Sequence, residues 1–230
     1  IVALRAAPQL LARFDGDGKL LAELAAEALS GLSATDPQPI AVAWDRPTAG
    51  NAARGVLVLV ADGKRIYRLD ADLKPVGDGP LVQDDAMSGR GLAVDAAGYI
   101  FVTDRTLPGI RVFDADGKPV MSYGEKGALV SHDRPTAESA GKFSEPRGIA
   151  IAPDGLIVVA DRLLHAWVAY RFDAAERTFA WVTNSGWLPM PEGVAFDRQG
   201  QLLLSGTFEY YRAYGTLRVM TRDAAPVNVF

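Results

Sequence analysis

The chain has 230 residues, 49% of them apolar, no cysteine and a formal net charge of −4. This composition allows a sizeable core, excludes disulfides, thiolate metal sites and a cysteine nucleophile, and disfavours a protein that binds nucleic acid through many phosphate contacts. No apolar run approaches the roughly 18 residues of a membrane-spanning helix. Because the sequence begins at Ile1 rather than at Met, we expect a processed chain in a periplasmic or extracellular location.

The first part of the chain predicts short strands. Residues 1–24 hold three apolar runs, the last two separated by an Asp-Gly-Asp-Gly turn, and we interpret them as strands of an incomplete sheet. Residues 22–32 are rich in helix formers, so one or two helical turns are the alternative there. Residues 33–39 form a linker that contains proline.

Residues 143–161 contain the pattern that organises the rest of the chain. Two apolar runs flank Pro153-Asp154-Gly155, which favours a tight turn because proline presets φ, aspartate bonds nearby backbone and glycine accepts positive φ. Two strand-length runs across such a turn predict a β-hairpin. The pattern returns at residues 90–104 and 192–205 and, with a long insert, at residues 40–62.

A second pattern recurs after each hairpin: an apolar run, an Asp-led turn and another apolar run. The turn aspartates are 44 to 59 residues apart, at Asp15, Asp70, Asp114, Asp173 and Asp223. Self-similarity near this period, with four short strands per unit, is typical of propeller blades. The sequence therefore predicts an all-β fold, a β-propeller of four-stranded antiparallel blades in one domain, residues 1–230. We expect five blades, with six as the alternative: a partial blade at 1–27 and blades at 40–82, 90–124, 147–184 and 192–230.

One part of the chain resembles a known family. The matching residues are Tyr-Gly-Glu-Lys-Gly at 123–127, Gly-Lys-Phe at 141–143, Pro-Arg-Gly-Ile-Ala at 146–150, Asp-Gly at 154–155 and Val-Ala-Asp at 159–161. Together they resemble an NHL repeat followed by the start of the next one. The resemblance covers residues 86–230 well and residues 1–85 more loosely. It implies a propeller but no single function, because this fold carries many unrelated activities.

Charged residues mark the predicted ends of the blade hairpins. The start of the first strand and the end of the second lie at the same end of an antiparallel hairpin, so we expect one face around the propeller channel to gather Arg90, Asp104, Arg105, Arg147, Asp161, Arg162 and Glu192. Such a set suits an anionic or zwitterionic ligand, or a metal held by the carboxylates. The alternative is structural, with aspartates that cap turns and pair with neighbouring arginines.

Two classes of enzyme have NHL-like or related propellers, and each binds its metal through a characteristic set of residues. NHL-like amidating lyases hold zinc through several channel histidines, but this chain has only His132 and His165, and we expect His165 to be a packing residue. Calcium-dependent lactonases that resemble gluconolactonase use a Glu, Asn and Asp set. Glu192 matches the glutamate of that set, whereas arginine occupies the expected asparagine position.

An aromatic segment near the C-terminus points to a partner. Residues 207–215 are predicted to join two strands of the last blade, and they contain Phe208, Tyr210, Tyr211, Arg212 and Tyr214. Exposed tyrosine together with arginine is typical of protein interfaces. The alternative is that two of the tyrosines pack over the propeller end.

We therefore predict a non-enzymatic, protein-binding scaffold propeller that serves as an interaction subunit of a larger assembly. We expect no cofactor, no bound metal, no nucleic-acid partner and no membrane span. A metal-dependent, lactonase-like hydrolase and a propeller that binds a small acidic ligand are the alternative functions.

Overall fold

The computed structural model describes residues 2–4, 9–32, 39–45, 54–60, 63–127, 136–185, 188–197, 199–208, 213–220 and 226–229. For residues 3, 9, 207–208, 213–220 and 226–229 the description concerns the backbone only. No helix among the described residues has the length and apolar character needed to cross a membrane.

The chain divides into two compact units, the first made of residues 1–100 and 113–118 and the second of residues 101–112 and 119–230. The first unit begins with a three-stranded antiparallel sheet in the order β1-β2-β3, formed by β1 (Val2–Leu4), β2 (Gln9–Phe14) and β3 (Leu20–Ala25). A single 3-10 turn, Ala26–Ala28, follows. The helix-forming composition of residues 22–32 thus gives one short turn, because residues 20–25 pair with β2 as a strand.

A four-stranded antiparallel sheet comes next in the first unit. Its strands pair in sequence order: β4 (Ala41–Trp44), β5 (Val56–Val60), β6 (Arg65–Leu69) and β7 (Val82–Gln83). Another four-stranded sheet contains β8 (Gly89–Val94), β9 (Ile100–Asp104), β10 (Gly109–Phe113) and β11 (Pro119–Tyr123). All five residues of β5 are buried, as expected for a strand covered on both faces.

Two further four-stranded antiparallel sheets belong to the second unit. The first pairs β14 (Pro146–Ile151), β15 (Ile157–Asp161), β16 (Ala166–Asp173) and β17 (Thr178–Asn184). The second pairs β18 (Pro191–Phe196), β19 (Leu202–Phe208), β20 (Ala213–Met220) and β21 (Pro226–Val229). Before them, β12 (Glu125–Lys126) and β13 (Lys142–Phe143) form a short parallel pair. The prediction of an all-β fold built from four-stranded sheets is confirmed; the blade number and the single domain stay predictions.

The recurring aspartates close the turns by bonding the backbone ahead of them. In the turn between β10 and β11, Asp114 Oδ1 accepts the N–H groups of Asp116 and Lys118, both at 2.9 Å. Gly117 completes this turn with φ of 79°, a value that costs a residue without a Cβ little. The carboxylates of Asp15 and Asp70 bond the second and fourth residues ahead of them in the same way. The aspartate repeat is therefore a repeat of turn geometry.

Each unit has its own buried core. In the first unit, apolar side chains of β2 and β3 pack with those of β5 and β6, among them Leu11 and Val58, both fully buried. In the second unit, Trp167 of β16 packs with Leu204 of β19 and their neighbours. The first strands β14 and β18 also lie against each other. Gly148 permits this approach, since a Cβ there would stand 2.7 Å from the Glu192 carbonyl oxygen.

Candidate functional site

Asp161, at the end of β15, is fully buried and is held by backbone groups. Its carboxylate accepts the N–H of Ser144 at 2.7 Å, of Glu145 at 2.8 Å and of Leu164 at 3.0 Å. Burial raises the pKa of Asp161, and these backbone hydrogen bonds oppose that rise. The Asp161 side chain thereby connects the segment before β14 to the turn after β15. This is the structural role that the sequence analysis gives as the alternative to ligand binding.

Asp104, at the end of β9, is also fully buried. One carboxylate oxygen accepts the Thr106 N–H at 2.8 Å, and the other pairs with the Nε–H of Arg111 on β10. Arg105, the next residue after Asp104, is exposed. The Asp104 carboxylate thus bonds residues of the hairpin formed by β9 and β10.

Four charged side chains of the second unit form what we call the ionic cluster: Glu145, Arg147, Arg162 and Glu192. Glu145 accepts Arg147 Nη2 at 2.5 Å and Arg162 Nη1 at 3.2 Å. Arg162 also places its Nε 3.2 Å from a carboxylate oxygen of Glu192 on β18. The pairing of Pro146 with Asp161 brings the start of β14 beside the end of β15, and this is why the hairpin gathers these charges at one end.

The ionic cluster is electrically balanced, with two glutamates and two arginines. Partial burial acts to raise the pKa of Glu145, but the hydrogen bonds and positive charges of Arg147 and Arg162 outweigh it and hold that pKa below its usual value. Side-chain exposure rises from 13% for Glu145 to 39% for Glu192, so the cluster has an internal end and a solvent end. Because the opposite charges are equal in number, the side chains hold one another in place. The cluster therefore has little net charge with which to attract an anion.

The remaining predicted channel residue, Arg90, lies in β8 of the first unit and is half-buried. His165 adopts φ of 54° in the turn between β15 and β16. Its carbonyl oxygen accepts the Leu188 N–H at 2.6 Å, and its Nδ1 accepts the Met190 N–H at 3.3 Å. His165 thus fastens the segment before β18. His132 lies outside the described residues.

For the residues predicted to bind a partner, the structure describes no side chains. Tyr210, Tyr211 and Arg212 lie outside the described residues, and Phe208 and Tyr214 are described only as backbone positions in β19 and β20. Those two strands pair antiparallel, with Phe208 opposite Ala213. The prediction that residues 207–215 join the strands is therefore wrong at both ends, because residues 207–208 and 213–215 belong to the strands themselves. Among the side chains that are described, no three histidines, aspartates or glutamates stand close enough to hold a metal ion.

Sequence reasoning missed an open groove in the first unit, with a volume of about 380 Å³. The side chains that line it include Val2 of β1, Arg13 and Phe14 of β2, and Val42 and Trp44 of β4. Trp44 is 53% exposed, an unusual state for so large an apolar side chain. The signal in the sequence was the low polarity of Ala-Val-Ala-Trp at the beginning of a predicted blade.

Sequence reasoning also missed the buried ion pair of Asp45 and Arg68. Arg68 Nε donates to Asp45 Oδ2 at 2.9 Å, and Arg68 Nη2 donates to the Ala115 carbonyl oxygen at 2.7 Å. Both side chains are nearly inaccessible, 8% exposed for Arg68 and 2% for Asp45. The signal was an arginine two residues before the turn aspartate, which recurs at Arg13 and Arg171.

No family model and no curated protein matches the sequence. Solved structures resemble it at low identity. A protein of unknown function from Bacteroides caccae gives a TM-score of 0.61 at 12% identity over 100% of this chain and 71% of that one. A luciferin-regenerating enzyme gives 0.59 at 12% identity over 96% and 68%. Virginiamycin B lyase from Staphylococcus aureus gives 0.57 at 13% identity over 97% and 63%.

The chain thus spans roughly two thirds of the length of these neighbours. At such identities the likeness shows the fold alone. The closer resemblance to NHL repeats stays a prediction. The succession of four-stranded sheets and the likeness to these structures together establish that the chain has a β-propeller fold.

Proposed function

We propose that this chain is a protein-binding β-propeller that acts as a non-enzymatic interaction subunit. The observation that carries the proposal is the groove beside Trp44. Tryptophan is the side chain most enriched at binding hot spots, because it buries a large apolar area around one polar N–H. Leaving more than half of Trp44 in water costs hydrophobic free energy that a partner would recover.

The charged residues give the proposal a second line of support. Asp104 and Asp161 are buried, and their carboxylate oxygens accept hydrogen bonds from backbone N–H groups and, for Asp104, from Arg111. Arg147 and Arg162 are paired with glutamates. These contacts hold hairpins together, which leaves the apolar groove as the feature of the described surface best suited to recognition.

The test compares Trp44→Ser with Val182→Ser. Val182 lies on β17 in the other unit and is 41% exposed, so it controls for the loss of an exposed apolar side chain. Tagged wild type and both variants are used to isolate the native assembly, and the dissociation constant of the retained partner is then measured. We expect Trp44→Ser to weaken binding by about 2 kcal/mol or more and Val182→Ser to leave it unchanged. Equal retention by all three proteins would refute the role of the groove.

The enzyme alternative has its own test, prompted by the fold neighbours whose names describe a regenerating enzyme and a lyase. A screen of lactones and esters with added calcium is run on wild type and on Glu192→Gln. We expect no turnover in either protein. Turnover that Glu192→Gln abolishes would replace the binding function with a lactonase-like one.

A further inference from the structure

An aspartate that precedes a glycine can rearrange its own backbone, and this chain contains six such pairs, which begin at Asp15, Asp17, Asp62, Asp78, Asp116 and Asp154. In this reaction the amide nitrogen of the glycine attacks the side-chain carboxyl carbon of the aspartate. Glycine favours the attack because it has no Cβ to obstruct it and allows many backbone conformations. The reaction requires a free nitrogen, a free carboxyl group and a backbone that can bring the two together.

In three of the pairs a hydrogen bond holds the attacking nitrogen. Each of these glycine N–H groups donates to the backbone carbonyl oxygen three residues earlier: Gly18 at 3.4 Å, Gly117 at 3.0 Å and Gly155 at 2.9 Å. The three glycines belong to tight turns and have φ between 79° and 82°. The nitrogen therefore reaches the preceding carboxyl group only if the turn opens locally.

Hydrogen bonds also restrain two of the carboxyl groups. The Asp15 carboxylate accepts the N–H groups of the second and fourth residues ahead of it, at 3.0 and 2.9 Å. Oδ2 of Asp154 lies 3.0 Å from Nη2 of Arg171. Asp62 lies outside the described residues, which leaves five pairs to compare. In four of these five, a hydrogen bond holds either the nitrogen or the carboxyl group.

The fifth pair, Asp78-Gly79, lies in a bend between β6 and β7 in which the Asp78 side chain is exposed. Val76 and Leu81 fix the two ends of the bend by donating to backbone carbonyl oxygens of β6, at 2.9 and 2.8 Å. Within the part of the chain that the structure describes, neither Asp78 nor Gly79 makes a hydrogen bond or an ion pair. A Cβ at Gly79 would meet no atom within 4 Å. Both reacting groups are thus free, and glycine stands on each side of the aspartate.

We propose that Asp78-Gly79 is the preferred site of isoaspartate formation among the five described pairs. The Gly79 nitrogen attacks Cγ of the protonated Asp78 carboxyl group, an N–Cγ bond forms, a C–O bond breaks, and water leaves with the amide proton. A second water then opens the ring, and no atom is oxidised or reduced. Attack of this water at Cγ restores aspartate, whereas attack at the main-chain carbonyl carbon leaves the peptide bond on Cγ. The isoaspartate product adds one atom to the backbone shortly before β7.

The experiment incubates the folded full chain in heavy-oxygen water at mildly acidic pH. Each cycle of ring closure and opening places heavy oxygen in the aspartate that reacted, and fragmentation mass spectrometry of proteolytic peptides locates it. We expect Asp78 to take up the label about tenfold faster than Asp116 or Asp154, because the turns around those two must first break their hydrogen bonds. The chain unfolded in urea is the control, and the three rates should become similar there because each aspartate precedes a glycine.

Gly79→Val tests the nitrogen directly. The space around Gly79 accommodates the side chain, and its branched Cβ obstructs the attack. We expect this variant to suppress labelling of Asp78 and to leave labelling of Asp116 unchanged.

Three results would overturn the proposal. The first is labelling of Asp78 no faster than that of Asp116 in the folded chain. The second is the same preference for Asp78 in urea, since local sequence rather than the fold would then set it. The third is undiminished labelling of Asp78 in a Gly79→Val protein that circular dichroism shows to be folded. None of the residues that line the groove beside Trp44 takes part in the reaction, so these results are separate from the test of the binding function.

Discussion

Replacing Asp161 with alanine tests whether this candidate site residue is a structural element. The change removes an acceptor from three backbone N–H groups. The Leu164 N–H is buried, and a buried donor without an acceptor costs about 1–3 kcal/mol. The Ser144 and Glu145 N–H groups are partly buried and each should cost about 1 kcal/mol, since water reaches them in part. We expect a loss of about 3–5 kcal/mol, a large share of the 5–15 kcal/mol that stabilises a typical domain.

Urea denaturation gives the free energy of unfolding, with Asp173→Ala as the control. Asp173 Oδ1 also accepts two backbone N–H groups, those of Ala175 and Glu176, but in an exposed turn. Because water can replace those hydrogen bonds, Asp173→Ala should lower the free energy of unfolding by less than about 1 kcal/mol. If Asp161→Ala is no more destabilising than Asp173→Ala, the structural account of Asp161 is wrong and a ligand role becomes the better explanation.

Two further predictions concern charge and the aromatic segment. The lowered pKa of Glu145 means that its pairs with Arg147 and Arg162 stabilise the protein above the unfolded-state value, near 4.5, and that this contribution is lost as the pH falls through the lower folded-state value. The difference in unfolding free energy between wild type and Glu145→Gln should therefore shrink from pH 6 to pH 3, and a constant difference would contradict the pairing. Replacing Tyr210 and Tyr211 with serine should weaken partner binding by about 2 kcal/mol without lowering the melting temperature; unchanged binding would place the anchor elsewhere.

The aspartate turns show which features of the fold can be predicted from local sequence. Asp114 and Gly117 fix their turn through contacts within five residues, so the pattern alone places the hairpins and the all-β class. The period of that pattern then predicts stacked sheets, because a single hairpin cannot bury both of its faces.

The partners of the charged residues were less predictable. Asp104 and Asp161 were correctly placed at strand ends, but which groups they bond depends on side chains and backbone from other turns. Glu145 was not singled out, although it joins Arg147 to Arg162, because nothing in its local sequence distinguishes it from a solvated loop residue.

By itself, the sequence determined the strands, their turns and their repetition, since these depend on interactions between residues close along the chain. Only the tertiary structure decided which charges are satisfied and which apolar side chains remain in water. The Asp45–Arg68 pair joins residues 23 positions apart, and the exposure of Trp44 depends on which elements pack against β4. Burial and pairing are properties of the packed neighbours, and those neighbours come from distant parts of the chain.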